Sequence, residues 1–266
     1  MSHFDLTGAH ALVTGASAGI GEAVALELAA HGARVSLAAR RREMLEDLAA
    51  RIRKKGGTAE IFETDLTKRG APRKLARDAE KKCGPIDVLI NNAGDSGGVE
   101  RFEEKTAAQV RKTLELNLLA PTELAHEVIG GMIDRDHGTL VSLSSVSAFF
   151  PAPATSTYVA TKRGLWGLDD VLRVELAGSG VNVMTVFPGP VETDMLRNTL
   201  STETGAQLER MPRGNTAELA RLIREGIEKR RSILTYPASY AATRWLTPLL
   251  GAAMPPLSGL LGLNGR

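Results

Sequence analysis

The sequence has little cysteine, few aromatic residues and almost no net charge. Cys83 is the single cysteine among 266 residues, which excludes an internal disulfide framework and favours a reducing compartment. The 33 basic and 31 acidic residues leave a formal net charge of +2, so charge gives no reason to expect a nucleic-acid partner. The N-terminus lacks the basic and apolar regions of a secretory signal, and we therefore expect a cytoplasmic protein.

The residues that are present suit one large α/β domain. Apolar residues make up 43% of the chain and charged residues 24%, which is typical of a globular protein with a substantial core. No internal repeat or low-complexity linker divides the chain. Strand patterns occupy residues 10–14, 34–39, 58–63, 86–90, 138–143, 181–187 and 232–236, and helical patterns about 42–55, 69–82, 106–133 and 215–229. This alternation predicts a parallel, doubly wound sheet.

A glycine-rich turn follows the first predicted strand and opens a helix. Its sequence is Gly15-Ala-Ser-Ala-Gly19-Ile-Gly21, so the glycines are spaced Gly-x-x-x-Gly-x-Gly. Glycines let the backbone approach a pyrophosphate closely, and the N-terminus of the helix favours the negative charge. On this motif alone, a dinucleotide-binding loop and a glycine-rich turn without function both stay open.

The second predicted strand ends without the carboxylate that would bind a ribose 2′-hydroxyl. It ends at Ala39 and is followed directly by Arg40-Arg41-Arg42. An arginine here accommodates a 2′-phosphate, which favours NADP(H) as the cofactor. Arg40 is the residue of the three that we place at the strand end. The alternative is a basic first turn on a solvated helix.

A tyrosine and a lysine stand one helical turn apart in Tyr158-Val-Ala-Thr-Lys162. On one helix face, the ammonium would lower the pKa of the phenol from its usual value of about 10, so that it exchanges protons near neutral pH. Ser145 follows the fifth predicted strand, at the sheet edge where open α/β sheets bind ligands. Asn117 lies inside a predicted helix and is either a satisfied core amide or a functional one.

Taken in order, these motifs resemble the short-chain dehydrogenase/reductase family. The matching residues are Thr14-Gly-x-x-x-Gly-x-Gly21, Asp65, Asn91-Asn-Ala-Gly94, Asn117, Ser145, Tyr158-x-x-x-Lys162 and Pro188-Gly189. The resemblance covers about residues 6–236. It implies a Rossmann-like sheet of about seven parallel strands with helices on both faces and a nicotinamide dinucleotide across the strand ends. We expect the domain to span residues 1–240, with an apolar C-terminal extension over 241–266.

The resemblance also implies a role for each matching residue. Tyr158 would be the general acid or base, Lys162 would tune it and bind the nicotinamide ribose, and Ser145 would hold the substrate oxygen. Asn117 would anchor a water that feeds a proton relay. The implied cofactor-binding residues are Gly15, Ser17, Ala18, Gly19, Ile20, Gly21, Arg40, Asp65, Leu66, Asn92, Ala93, Gly94, Tyr158, Lys162, Pro188, Gly189, Val191 and Thr193. Ala18 departs from the family, because NADP-dependent members often carry a basic residue there.

Together these features predict an NADP(H)-dependent oxidoreductase that interconverts a carbonyl and a secondary alcohol without a metal. Phe149 and Phe150 favour a lipophilic substrate, or they reflect loop packing alone. A same-fold epimerase or dehydratase is one alternative, and the three residues between Tyr158 and Lys162 argue against an enoyl reductase. A non-catalytic, cofactor-sensing binding protein is the other alternative, although no catalytic residue of the family set is lost.

Two segments outside the motifs are predicted to lie at the surface of the site or of the molecule. Residues 194–214 are polar and contain glycine and proline, which is typical of a mobile lid over the strand ends.

Residues 245–264 carry no charge, but their three prolines argue against a membrane-spanning helix. We expect this tail to pack beside the lid or at the interface of a homo-oligomer, a dimer or tetramer. Shallow contact with a membrane surface is the alternative.

Overall fold

The structure, a computed structural model, describes residues 3–98, 100–149, 152–200 and 211–247, with the backbone alone for 198–200. The strands are β1 His10–Thr14, β2 Arg34–Ala39, β3 Thr58–Glu63, β4 Val88–Asn91, β5 Gly138–Leu143, β6 Val181–Pro188 and β7 Ile233–Tyr236. The helices are α1 Gly19–Ala30, α2 Arg42–Lys54, α3 Ala71–Cys83, α4 Ala107–Leu114, α5 Ala120–Asp134, α6 Ser156–Glu175, α7 Asp194–Leu200 and α8 Thr216–Glu228.

The strands form one parallel sheet in the order β3-β2-β1-β4-β5-β6-β7. This arrangement confirms the predicted Rossmann-like fold. Every residue of β1 and β5 is buried, as expected for strands that are covered by helices on both faces. Because the strand order reverses between β1 and β4, a crevice opens at the carboxyl ends of these two strands.

Successive residues of β1 point into two different cores. Val13 joins the cluster that contains Leu28 of α1 and Ile223 of α8, whereas Leu12 joins the cluster that contains Leu124 of α5. This alternation follows from the two-residue period of a strand. A third, smaller cluster lies under the carboxyl ends of β5 and β6 and is built from aromatic rings: Phe149, Trp166, Phe187 and Tyr240.

The long helix predicted over residues 106–133 is interrupted by a five-residue π-helical turn, Glu115–Leu119. Pro121 explains the interruption, because it has no N–H to donate to the carbonyl of Asn117 one turn earlier. The turn therefore widens at Asn117, and π-turns of this kind often occur at functional sites. The fourth strand begins at Val88, two residues later than the pattern predicted.

The helix predicted after Asn215 is present, but its capping box is only half formed. The Glu218 N–H donates to Asn215 Oδ1 at 2.7 Å, while the Glu218 carboxylate pairs with Arg221 instead of returning to the cap. Just before the cap, the Tyr240 hydroxyl donates to the Pro212 carbonyl at 3.1 Å. These bonds anchor the chain where it returns to the sheet.

The two segments expected at the surface fall only partly within the described residues. The predicted lid begins as a helix, Asp194–Leu200, and residues 201–210 lie outside the described part. The described start of the C-terminal extension, predicted from residue 241, lies in a 3₁₀ segment, Ala238–Leu246, whose Trp245 is 76% exposed. The remainder of the predicted tail, 248–266, lies outside the described residues. Within the described chain, no helix combines the length and apolar character that a membrane span requires.

Candidate active site

A cavity of about 890 Å³ opens at the carboxyl ends of the strands. It extends from the glycine turn after β1, past the ends of β4 and β5, to the loop after β6. Of the residues predicted for cofactor binding and catalysis, all except Gly21 and Asn117 line it. The fold therefore brings together side chains that are up to 178 positions apart in sequence, between Gly15 and Thr193.

Gly21 contributes to packing beneath the glycine turn and does not line the cavity. A Cβ atom at Gly21 would collide with the Gly15 carbonyl and with the side-chain amide of Asn92. That amide donates to the Thr14 carbonyl at 2.8 Å, and the Asn92 N–H donates to Thr14 Oγ1 at 3.0 Å. The Asn92 side chain thus fastens the loop after β4 to the glycine turn.

The N-terminus of α1 provides donors at the floor of the cavity. Ala18 is the N-cap in extended conformation, and no side chain caps the helix. The first N–H groups of a helix have no intrahelical acceptor, and here Gly19 and Ile20 line the cavity. Gly15 approaches Asn92 and Ala93 so closely that a Cβ atom would lie 2.8 Å from the Asn92 amide nitrogen. This end of the site fits a phosphate group.

Two arginines, and not Arg40 alone, flank the glycine turn. The Arg41 guanidinium donates to Ser17 Oγ, with Nη2 at 2.9 Å and Nε at 3.2 Å, and both arginines line the cavity. Arg41 was not among the residues predicted for the site. Since α2 begins only at Arg42, Arg41 has an extended backbone and its side chain turns back toward Ser17. One feature of the sequence could have indicated Arg41. Ala18 stands where NADP-dependent members often carry a basic residue, so a cation from elsewhere in the chain was to be expected beside Ser17.

Asp65 lies at the cavity wall with one carboxylate oxygen already engaged. Asp65 Oδ1 accepts from the Thr67 hydroxyl at 2.8 Å and from the Thr67 N–H at 3.1 Å. The hydroxyl bond is the main cause that lowers the pKa of Asp65, and the nearby Arg40 charge acts in the same direction. Asp65 is therefore an ionised acceptor at neutral pH.

Tyr158, Lys162 and Ser145 meet at the centre of the cavity. Tyr158 and Lys162 project from α6, while Ser145 follows β5 at the start of the 3₁₀ turn Val146–Ala148. The Ser145 hydroxyl lies within hydrogen-bonding reach of the phenol. Lys162 Nζ donates to the Leu143 carbonyl at 2.7 Å and lies 5.6 Å from the centre of the Tyr158 ring.

The expected lowering of the Tyr158 pKa is not found. Burial raises the pKa of Tyr158, and the hydrogen bond with Ser145 only partly opposes that effect. Lys162 does not lower it, because the ammonium is directed to the Leu143 carbonyl and not to the phenol. Burial also lowers the pKa of Lys162 to about 8. At neutral pH the phenol is thus protonated, and Lys162 is mostly charged.

Asn117 is a fully satisfied amide behind the cavity wall. Its Nδ2 donates to the Asp95 carbonyl at 2.8 Å, and its Oδ1 accepts from the Asp95 N–H at 2.9 Å. Nδ2 also lies 3.4 Å from the hydroxyl of Thr161, the residue before Lys162. The sequence left open whether Asn117 is a satisfied core amide or a functional one, and the structure shows that its hydrogen bonds are satisfied. The role in a water relay stays a prediction.

The cavity is also lined by residues that the sequence motifs did not indicate. Some of them belong to the loop after β4, the π-helical turn, the start of α7 and the chain from residue 211 onward: Ser96, Arg101, Glu104, Leu116, Met195, Leu196 and Met211. Phe149, in contrast, is fully buried against Phe187 and Trp166 and does not line the cavity. Phe150 lies outside the described residues. The aromatic argument for a lipophilic substrate therefore fails at Phe149, although other residues that line the cavity are apolar.

Comparisons with known proteins agree with this geometry. The family model described as short chain dehydrogenase matches residues 9–204. A short chain dehydrogenase of Pseudocercospora fijiensis is 35% identical over 191 residues, which cover 71% of this chain but only 62% of that protein. A fatty acyl-CoA reductase of Mycobacterium tuberculosis is 35% identical over 206 residues, covering 75% of this chain and 68% of the relative.

A solved structure extends the likeness over nearly the whole chain. A short-chain dehydrogenase from Sphingobium yanoikuyae in complex with NADPH superimposes with a TM-score of 0.80 at 29% identity, covering 97% of this chain and 96% of the other. The fold and site define an α/β protein of the Rossmann type whose site lies at the carboxyl edge of the sheet. The chain belongs to the short-chain dehydrogenase/reductase family of oxidoreductases.

Proposed function

We propose that this protein is an NADP(H)-dependent oxidoreductase that interconverts a carbonyl and a secondary alcohol. The observation that carries the proposal is the meeting of two hydroxyl groups, Tyr158 and Ser145, in front of the buried Lys162 ammonium. A protonated phenol beside a second hydroxyl donor suits an oxygen atom that gains negative charge as a carbonyl is reduced.

The cofactor assignment rests on the cationic end of the cavity. Arg41 bonded to Ser17, together with Arg40, offers charge-assisted donors to a 2′-phosphate, and the uncapped N-terminus of α1 suits the pyrophosphate. The structural relative from Sphingobium yanoikuyae supports this assignment, because it was solved with NADPH. When bound, the nicotinamide supplies or accepts the hydride. The residues proposed to hold it are those given by the family resemblance, with Arg41 added and Gly21 left out.

The protein groups divide the remaining work between them. Tyr158 donates its proton to the carbonyl oxygen during reduction and takes one back during oxidation. Ser145 donates a hydrogen bond to the same oxygen, which holds the substrate in place as charge develops. Lys162 is proposed to bind the nicotinamide ribose, and its pKa of about 8 keeps it mostly charged at neutral pH. Asn117 keeps the loop after β4 in position behind them.

The substrate is proposed to be lipophilic. Four apolar side chains line the cavity: Leu116, Met195, Leu196 and Met211. The relative named a fatty acyl-CoA reductase acts on a substrate with a long apolar chain, which supports the same class here. A set of ketones of increasing chain length, assayed with NADPH, tests this assignment. We expect kcat/KM to rise with chain length, and a preference for short, polar substrates contradicts it.

Replacing the proposed proton donor tests the reaction itself. Tyr158→Phe removes the phenol and should lower kcat by at least about a hundredfold, because general acid catalysis contributes on that scale. Affinity for NADPH, measured by fluorescence titration, should change little. Tyr236→Phe is the matched control, since Tyr236 is a tyrosine outside the cavity whose hydroxyl accepts from the Asn215 N–H. Equal activities of the two variants would overturn the role of Tyr158.

Three neighbouring arginines test the cofactor preference. Arg40→Ala and Arg41→Ala should each weaken NADPH binding roughly tenfold or more and leave NADH binding nearly unchanged, because each removes charged donors to a phosphate that NADH lacks. Arg42→Ala is the control, since Arg42 pairs with Glu46 on the exposed face of α2. Tighter binding of NADH than of NADPH by the unmodified protein would contradict the assignment.

A further inference from the structure

Asp95 is an acidic residue next to the catalytic centre whose side chain the proposed reaction does not use. Its carboxylate is tied to three partners on the loop after β4 and on α4. Oδ1 accepts from the Gly97 N–H at 3.0 Å and from the Thr113 hydroxyl at 3.2 Å, while Oδ2 lies 3.4 Å from Lys112 Nζ. The side chain is 29% exposed, so water screens its charge only in part.

The backbone of Asp95 is held as firmly as its side chain. The Asn117 amide brackets it with two hydrogen bonds of 2.8 and 2.9 Å. Asp95 therefore joins the loop after β4, α4 and the π-helical turn at one point. Gly94, the residue before it, lines the cavity. Movement of Asp95 would thus displace the cavity wall itself.

Asp95 also lies near Lys162, the buried cation of the site. A Cβ atom at Gly94 would lie 3.5 Å from Lys162 Nζ, which shows how closely this stretch approaches the ammonium. The negative charge of Asp95 raises the pKa of Lys162 against the larger, lowering effect of burial, and it raises the pKa of Tyr158 as well. Lys112, on α4, offsets part of that charge. Other charged residues that line the cavity are Arg40, Arg41, Asp65, Arg101, Glu104 and Asp194.

We propose that Asp95 is a positioning residue: its carboxylate ties the loop that follows Gly94 to α4 through Gly97, Thr113 and Lys112, and it places a negative charge near the Lys162 ammonium. This proposal rests on the proposed function in one respect, namely that the reaction uses Lys162. The placement of a charge beside Lys162 is independent of catalysis. It is therefore testable on the protein without substrate.

A direct test follows the titration of Lys162 by NMR in protein labelled with ¹³C-lysine. The signal is assigned by its absence from Lys162→Met. We expect a midpoint near pH 8 in the unmodified protein, and a midpoint lower by at least about half a pH unit in Asp95→Asn, since a nearby opposite charge favours the ammonium. Asp95→Glu should restore most of the difference. Glu103→Gln, which removes an exposed carboxylate that pairs with Arg101, should leave the midpoint in place.

A second variant, expected to shift the Lys162 midpoint in the opposite direction, tests the proposal if Asp95→Asn folds poorly. Lys112→Met removes the positive charge beside Asp95 and should move the Lys162 midpoint to higher pH. An unchanged midpoint in both Asp95→Asn and Lys112→Met, or equal shifts in Glu103→Gln and Asp95→Asn, would overturn the proposal.

The pH dependence of turnover separates positioning from simple structural support. If Lys162 must be charged, the high-pH limb of kcat should move to lower pH in Asp95→Asn, so that activity falls several-fold more at pH 8.5 than at pH 6.5 relative to the unmodified protein. An even loss at all pH values would show support of the fold alone and overturn the electrostatic part. Failure of the proposed function would appear differently, as turnover that survives Tyr158→Phe while the NMR shifts remain.

Discussion

Helix α6 carries two buried charged side chains, and they differ in what surrounds them. Lys162 and Asp169 are two helical turns apart, and they are 6% and 2% exposed, respectively. Asp169 faces the sheet, where it accepts from the Ser142 hydroxyl at 2.9 Å and from the Thr185 hydroxyl at 2.7 Å. Lys162 faces the cavity, and the hydrogen bond described for its Nζ goes to the Leu143 carbonyl.

Burial pushes both groups toward their neutral forms. It lowers the pKa of Lys162 to about 8 and raises the pKa of Asp169 to about 6, although hydrogen bonds from Thr185 and Ser142 oppose the second shift. The perturbed pKa alone therefore does not distinguish a functional group from a structural one. The difference lies in access. Lys162 lines the cavity, whereas Asp169 fastens the helix to β5 and β6.

The largest effect expected from this comparison is on catalysis. Lys162→Met removes the ammonium that is proposed to bind the nicotinamide ribose, and kcat should fall at least about a hundredfold, because a misplaced reactant costs on that scale. The free energy of unfolding should change by only about 1 kcal/mol, because the cost of burying a charge disappears together with one hydrogen bond. Steady-state kinetics and urea unfolding of the same sample measure both. A large loss of stability with normal turnover per folded molecule would reverse the assignment of Lys162.

Removing the other charge should act on stability. Asp169→Leu leaves two buried hydroxyl groups, Ser142 and Thr185, without their acceptor and should lower the free energy of unfolding by about 2–4 kcal/mol. Turnover per folded molecule should stay unchanged at a temperature well below the unfolding transition, since Asp169 does not line the cavity. Urea unfolding and active-site titration with NADPH test this. Loss of turnover in fully folded Asp169→Leu would break the comparison.

The smallest effect is a dependence of stability on pH. The pKa of Asp169 is raised in the folded protein, from 3.8 to about 6, so the folded state binds its proton more tightly than the unfolded state. Its contribution is therefore fully present below about pH 4 and is lost as pH rises through about 6. Asp169→Asn lacks this titration, so relative to it the unmodified protein should lose about 1–3 kcal/mol over this window. Urea unfolding at pH 4, 5, 6 and 7 measures the difference. Parallel stability curves would show that Asp169 does not titrate in this range.

The sequence by itself determined the fold and the composition of the site. Alternating strand and helix patterns with largely apolar central strands favour a parallel sheet with helices on both faces. The end of each strand then fixes where a side chain emerges, so Ser145 and the glycine turn were assignable to one edge without coordinates. The spacing of Tyr158 and Lys162 likewise placed them on one helix face, and the family comparisons agree with the order of these motifs.

Only the tertiary structure decided which groups those side chains contact. Contacts between residues distant in sequence leave no periodic signal, so the bond from Arg41 to Ser17 and the clamp of Asn117 on Asp95 were not predictable. The same reason explains the wrong expectation for the Tyr158 pKa. The helical spacing predicts that the side chains of Tyr158 and Lys162 are neighbours. Burial of both groups and the acceptor nearest to the ammonium decide how they interact. Here that acceptor is the carbonyl of Leu143, on a strand that packs against the helix.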